Sequence, residues 1–184
     1  MVFRRAARQA VRARAMNSLA LCALAFGPMI LEARLSARHD AVLRRRGAVE
    51  PPGDVYRIMQ LCYPGAFLAM IGEGFLRDVH VDDAGAIGLV GFVAAKTLKY
   101  WAMRTLQERW TFRVLVPPGS SRVGGGPYRF MRHPNYAAVL GELAGIALMT
   151  HAWIAGPTGM ALFGLLIRLR IRVEERALGI ELRR

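Results

Sequence analysis

Apolar residues in this chain come in long blocks separated by short arginine-rich stretches, with no strand-like alternation. The first block runs from Asn17 to Leu31. Glu32 to Asp54 is polar and contains Arg44-Arg45-Arg46, Gly47 and Pro51-Pro52-Gly53, which predicts a surface helix ended by Gly47 and then a turn. A second block from about Val55 to Leu76 is interrupted by Pro64 and carries Glu73 near its end. A third starts near Ala84 and reaches Trp101, a fourth covers about Tyr136 to Trp153, and a fifth about Ile154 to Leu166. The chain then runs into Arg168-Leu-Arg-Ile-Arg-Val-Glu-Glu-Arg176, predicted to continue the last helix beyond the apolar layer. A bilayer core asks for about 20 mainly apolar residues per helix. The pattern therefore predicts an all-α integral membrane protein, a bundle of about five transmembrane helices with a long polar loop and a C-terminal helix at the cytoplasmic face. We find no internal repeat, and 1–184 reads as one domain.

Composition agrees with that reading. Apolar residues make up 54% of the chain, yet the net charge is +13, from 26 Lys+Arg against 13 Asp+Glu. The positive charge sits between the apolar blocks, as in cytoplasmic flanks of membrane helices. A nucleic-acid binder would also be basic, but there is no zinc-ligand spacing, no RNA-binding sheet signature and no single arginine stripe, so nucleic acid is not an expected partner. Membrane lipids are. Cys22 and Cys62 lie inside apolar blocks without metal or redox spacing and read as buried free thiols.

Arg4, Arg5, Arg8, Arg12 and Arg14 give the N-terminus a basic amphipathic face suited to an anionic membrane surface. A charged segment before an apolar run also describes a secretory signal, but Gly27-Pro28 is followed by Met29-Ile30-Leu31-Glu32 and no small-residue cleavage site, which favours a retained helix. The acidic loop at 77–83 and the uncharged turn near 151–157 belong outside; the loops at 32–54 and 99–135 and the C-terminus belong inside. Tyr100, Trp101 and Trp110, interleaved with Arg104, Arg109 and Arg113, suit the headgroup level, and Pro117-Pro118-Gly119 is expected to break the third helix. Five full spans would put the basic N-terminus outside, so the first helix either spans against the trend or lies at the surface. A bacterial cytoplasmic membrane is the expected location.

Candidate chemistry concentrates in Gly124-Gly-Gly-Pro-Tyr-Arg-Phe-Met-Arg-His-Pro-Asn-Tyr136. Its glycines permit close backbone approach and positive φ. Pro127 and Pro134 fix local geometry and suit turn or helix-start positions. Tyr128, His133 and Tyr136 offer ring faces and polar tips, and Arg129 and Arg132 offer guanidinium forks. A helix beginning near Pro134 would present free N–H groups to a negative or polar ligand; His133 as a simple helix cap is the plainer alternative. Glu142 sits within the apolar fourth block, where an ionisable group is costly and faces a protein interior or a polar cavity; a structural arginine partner is the other reading. Arg170–Glu174 and Arg172–Glu175 are helix neighbours at i,i+4 and i,i+3, which a solvated salt-bridged helix end explains equally well. His80 and His151 read as surface residues, and no metal set emerges.

These stretches together resemble the isoprenylcysteine carboxyl methyltransferase family. The resemblance is strong over about Trp101 to Leu178, through Gly126-Pro-Tyr128, Arg132-His-Pro-Asn-Tyr136, Glu142 and Arg170-Ile-Arg-Val-Glu-Glu175. It is weaker over Glu32 to Glu73, through Ser36-Ala-Arg-His39 and Gly47-Ala-Val-Glu50. With Trp110-Thr-Phe-Arg-Val-Leu-Val-Pro-Pro-Gly119, the chain looks most like a small bacterial branch with members that O-methylate alkylpyrones. The resemblance implies N-terminal helices over 16–98 and a cofactor-binding and catalytic region over 99–178. It implies S-adenosyl-L-methionine as cofactor, held by Gly126, Pro127, Tyr128, Arg132, His133, Pro134, Tyr136, Glu174 and Glu175. Arg170, Arg172 and Glu142 are the expected catalytic residues, an arginine orienting the acceptor. The implied acceptor is a lipid-tailed acid or acidic enol, or a prenylated one. A phospholipid or amine N-methyltransferase is the nearest alternative, and a small transporter or sensor with Glu73 and Glu142 as a polar relay the non-enzymatic one. The oligomeric state stays open.

Overall fold

A computed structural model describes residues 2–77, 82–120 and 122–179, with side chains from residue 16 onward. The expectations for His80 and for the side chains of the N-terminal arginines fall outside the described residues. Among those described, the chain forms five α-helices: α1 (Val2–Arg45), α2 (Tyr56–Leu76), α3 (Asp83–Leu106), α4 (Pro134–Met149) and α5 (Ala155–Ala177). The only β-type pairing among them is an isolated antiparallel bridge, Val49 with Val116.

Several boundaries differ from the pattern reading. The first apolar block and the arginine-rich segment after it are a single helix; Pro28 lies inside α1, and Gly47, at φ +79°, ends it. Helix α3 stops at Leu106, well before Pro117-Pro118, because Gln107 turns to φ 52° and a short 3₁₀ turn follows. The last helix does continue through the basic segment. Caps set the other ends: Asp82 accepts from the Gly85 N–H at 2.9 Å at the start of α3, and Pro134 occupies the first turn of α4.

Among the described residues one helical stretch, Met16–Arg45 of α1, is by itself long and apolar enough to cross a membrane. The others fall short of the expected spans for visible reasons: α4 has 16 residues, α2 carries Pro64 and Glu73, and α3 carries Lys96 and Lys99. The bundle is nonetheless apolar outside and charged inside. Leu61, Leu76, Ile87, Val90, Leu162 and Leu165 are exposed, while Glu32, Lys96, Lys99, Glu142 and Arg170 are buried. Phe67, Met70, Phe92, Leu143, Ile146 and Phe163 fill the core between helices. Helices α3 and α4 meet backbone to backbone: a Cβ on Gly145 would lie 2.8 Å from the Gly88 carbonyl oxygen, and one on Gly141 2.9 Å from the Ala95 Cβ. Small residues at such a contact are how helices approach closely without a solvent-driven core.

The two ends of the bundle gather different segments. At one end Glu73 caps α5, accepting from the Ile154 and Ala155 N–H groups, and His151 pairs with Asp82 at 3.0 Å. His151 therefore has a carboxylate partner that its sequence neighbourhood does not contain. At the other end the α1–α2 turn, the long 107–133 segment and the end of α5 converge.

Candidate cofactor site

The 124–136 stretch is shaped by its backbone. Gly126 sits at φ +54°, and a Cβ there would lie 2.2 Å from the Thr105 Oγ1, so both conformation and space demand glycine. Gly126–Arg129 form a 3₁₀ turn with Pro127 buried at its start. His133 stands at the N-cap position of α4, but its side chain makes no capping bond. Instead its ring stacks on Tyr136, with centroids 5.6 Å apart. Its Nδ1 and Nε2 lie 3.7 Å from a Glu174 and a Glu175 oxygen respectively.

Tyr136 links α4 to α5. Its hydroxyl donates to Glu174 and accepts from the Arg170 Nε at 2.8 Å. Arg170 is buried and also reaches Asp54 at 3.2 Å and Glu174 at 3.4 Å, the latter being the i,i+4 pair. Burial, and then the Glu174 charge, push the Tyr128 hydroxyl above its usual range, so it stays a hydrogen-bond donor.

The 107–120 segment is a strap tied down chiefly by one face of α1 and the turn after it. His39 Nδ1 contacts the Trp110 carbonyl at 2.7 Å and Ser36 Oγ accepts from the Phe112 N–H at 2.7 Å. Asp54 accepts from the Val114 N–H at 2.9 Å and Val49 pairs with Val116. Trp110 Nε1 donates to Asn135 at 3.2 Å, joining strap to loop. Arg113 bridges to Glu50 at 3.0 Å, and Arg44 does so at 2.5 Å. Burial alone would raise the Glu50 carboxyl, but those two arginines outweigh it and hold it below its ordinary value.

Strap, loop and helices enclose a cavity of about 380 Å³. Tyr128, Arg132, His133, Tyr136, Arg170, Glu174 and Glu175 all line it, so seven of the expected residues share one space. Five are placed otherwise. Gly126, Pro127 and Pro134 shape the loop without lining the cavity. Arg172 is exposed on the far side of α5, one hundred degrees per residue carrying it off the face that Arg170 shares with Glu174. Glu142, expected at the site, is also off the wall and buried in an ion cluster.

That cluster holds two lysines against two glutamates. Lys96 Nζ lies 2.8 Å from both a Glu32 and a Glu142 oxygen. Lys99 Nζ lies 2.6 Å from Glu32 and 3.3 Å from Glu142. Tyr63 donates to Glu142 at 2.6 Å. Glu142 thus has lysine partners in place of the arginine considered from sequence. Sequence reading missed Glu32, Lys96 and Lys99; the available signal was two lysines three apart within an apolar run, which a membrane helix rarely carries unpaired.

Comparisons with known proteins place these features in a wider set. The family model described as isoprenylcysteine carboxyl methyltransferase (ICMT) family matches residues 86–180, just over half of the chain. An uncharacterized protein, YpbQ, of Bacillus subtilis (strain 168) is 30% identical over 152 residues, covering 80% of this chain and 88% of its own. An uncharacterized protein of Haemophilus influenzae is 24% identical over 146 residues, covering 79% and 85%. No solved structure matches the chain.

Proposed function

Because the chain belongs to the isoprenylcysteine carboxyl methyltransferase family, and is thus a membrane methyltransferase, we propose that it uses S-adenosyl-L-methionine to O-methylate a lipid-tailed carboxylate or acidic enol. The convergence of Tyr128, His133, Tyr136, Glu174 and Glu175 on one cavity carries this reading. Its donor set fits the cofactor: carboxylates for an amine or ribose hydroxyls, ring faces for adenine, and Arg132 at the rim for a carboxylate. When bound, the cofactor supplies a methyl group activated on a sulfonium. Transfer is an in-line displacement, so the chain's task is positioning. A carboxylic acid, with an ordinary pKa of about 4, is already ionised at neutral pH and needs no strong base. Arg170 positions Tyr136 and Glu174 through the bonds described above, and the strap closes the cavity over them.

The surrounding architecture suits a bundle of five membrane-inserted helices forming one domain over 1–184. The exposed leucines, isoleucines and valines of α2, α3 and α5 form a lipid-compatible exterior. The end that carries the cavity also carries Arg44, Arg104, Arg109, Arg113, Arg122 and Arg132. On these connecting-segment arginines we assign it to the cytoplasm, although the part of α1 that follows the N-terminal arginines packs at the opposite end. The location is then a bacterial cytoplasmic membrane, with an acceptor drawn from that membrane.

The test is calorimetry of S-adenosyl-L-methionine on folded, detergent-purified protein, for the natural sequence and for His133→Ala, Glu174→Ala and Glu175→Ala. Binding by the natural sequence, weakened about tenfold or more by each change that removes a charged hydrogen bond, is expected. No binding sinks the enzyme reading; unchanged affinity in all three variants sinks the pocket. Product analysis with labelled cofactor separates oxygen from nitrogen acceptors.

A further inference from the structure

We propose that Lys99 is the cation that receives the anionic oxygen of the acceptor, and so makes this cavity selective for anionic over neutral or cationic amphiphiles. The proposal rests on the methyltransferase reading for what the bound anion becomes, but Lys99, on α3, is not one of the residues assigned to the cofactor, although it lines the same cavity. Lys99 lines the cavity, and its Nζ lies 5.5 Å from the Tyr63 ring centroid. The wall on the neighbouring helices is apolar, from Met29, Ala33, Met59 and Phe163. An ammonium on an apolar wall fits a ligand with one negative head and a hydrocarbon tail.

Of the other cations that line the cavity, Arg109, Arg122 and Arg132 are exposed on the 107–133 segment, whereas Lys99 is buried. Arg170 is held by Asp54, Tyr136 and Glu174, Arg113 by Glu50 and Asp40, and Arg172 does not line the cavity. Lys96 donates to Glu32 at 2.8 Å and is buried beneath. Lys99 is ion-paired as well, 2.6 Å from Glu32 Oε2 and 3.3 Å from Glu142 Oε1, but neither contact is an aligned hydrogen bond, and both oxygens are buried without a hydrogen-bond partner. An ammonium has three donors, so Lys99 keeps donor capacity for a ligand.

The cluster is neutral when complete, two lysines against two glutamates, so the sign of the local field is a question of distance. A ligand oxygen about 2.8 Å from Nζ, on the side away from Glu32, would stand about twice as far from that carboxylate. Attraction therefore exceeds the nearest repulsion. A cationic head at the same point would meet the ammonium first and be rejected.

The experiment uses full-length protein in maltoside micelles and three single-chain probes: laurate, dodecan-1-ol and dodecylamine. Because Lys99→Gln alone leaves a buried charge uncompensated, the paired variant Lys99→Gln/Glu32→Gln keeps the cluster neutral, and Lys99→Arg keeps the cation. The natural sequence and Lys99→Arg are expected to favour laurate over the alcohol by on the order of tenfold or more, the range of a charged hydrogen bond, and to reject the amine. The paired variant is expected to lose that preference while binding S-adenosyl-L-methionine as the natural sequence does. A retained laurate preference in the folded paired variant, or amine binding as tight as laurate in the natural sequence, overturns the proposal. Failure of cofactor binding in the natural sequence, with laurate selectivity intact, would instead refute the methyltransferase reading and leave the anion site standing.

Discussion

Consider replacing Glu142 by glutamine. The substitution preserves size and leaves an oxygen to accept from Tyr63, so that hydrogen bond of 2.6 Å survives. What it removes is one of two negative charges facing Lys96 and Lys99. The side chains of Glu32, Glu142 and Lys99 are 2%, 1% and 3% exposed, and that of Lys96 10%, so water cannot replace the lost charge. Breaking a buried pair on one side costs about 3–5 kcal/mol, because an uncompensated ion is left behind. Adding Lys96→Met restores neutrality, leaving Glu32 with Lys99 at 2.6 Å. The double variant should therefore recover at least about 2 kcal/mol relative to the sum of the single changes, within the range seen for contacting residues. Equilibrium unfolding in mixed micelles, read by tryptophan fluorescence for the four species of the cycle, measures this. A Glu142→Gln protein within about 1 kcal/mol of the natural one, or strictly additive changes, would refute the cluster as a stabilising unit. Cofactor affinity should be unchanged in the single variant, since Glu142 does not line the cavity. Lost affinity with full stability would return Glu142 to the cofactor pocket.

Two further outcomes are expected. Gly145→Ala places a methyl 2.8 Å from both the Gly88 carbonyl oxygen and the Phe92 Cβ, and should destabilise by about 1–3 kcal/mol in the same assay; Gly91→Ala, which meets nothing within 4 Å, should not, and equal effects would discount the α3–α4 contact. Asp54→Asn weakens the anchor that joins the strap to Arg170; cofactor affinity should fall on the order of tenfold by calorimetry, the scale of one charged hydrogen bond, and an unchanged value would detach Asp54 from the site.

Local pattern already determined much about this protein. Blocks of apolar residues marked the helices, since each helix buries or exposes its own surface continuously. Gly126, Pro127 and Pro134 marked the loop because backbone conformation is a property of the residue itself. Arg170 and Glu174 were legible as a pair because one helix turn brings them together. Boundaries were read less well: the first apolar block and the polar segment after it were read as separate helices where α1 is one, and the Gln107 turn left no composition signal.

What the tertiary structure alone decided is how distant charges are paired. Glu32 and Lys96 are 64 positions apart and meet at 2.8 Å; Asp54 and Arg170 are 116 apart and meet at 3.2 Å. No periodicity reports such encounters, because they depend on which helix faces are turned inward together. For the same reason Glu142, correctly singled out as too polar for its surroundings, could not be assigned from sequence to the cavity or to the ion cluster. A buried charge announces that it has a partner. Only packing says which one, and in this bundle the partners are the lysines that sequence reading passed over.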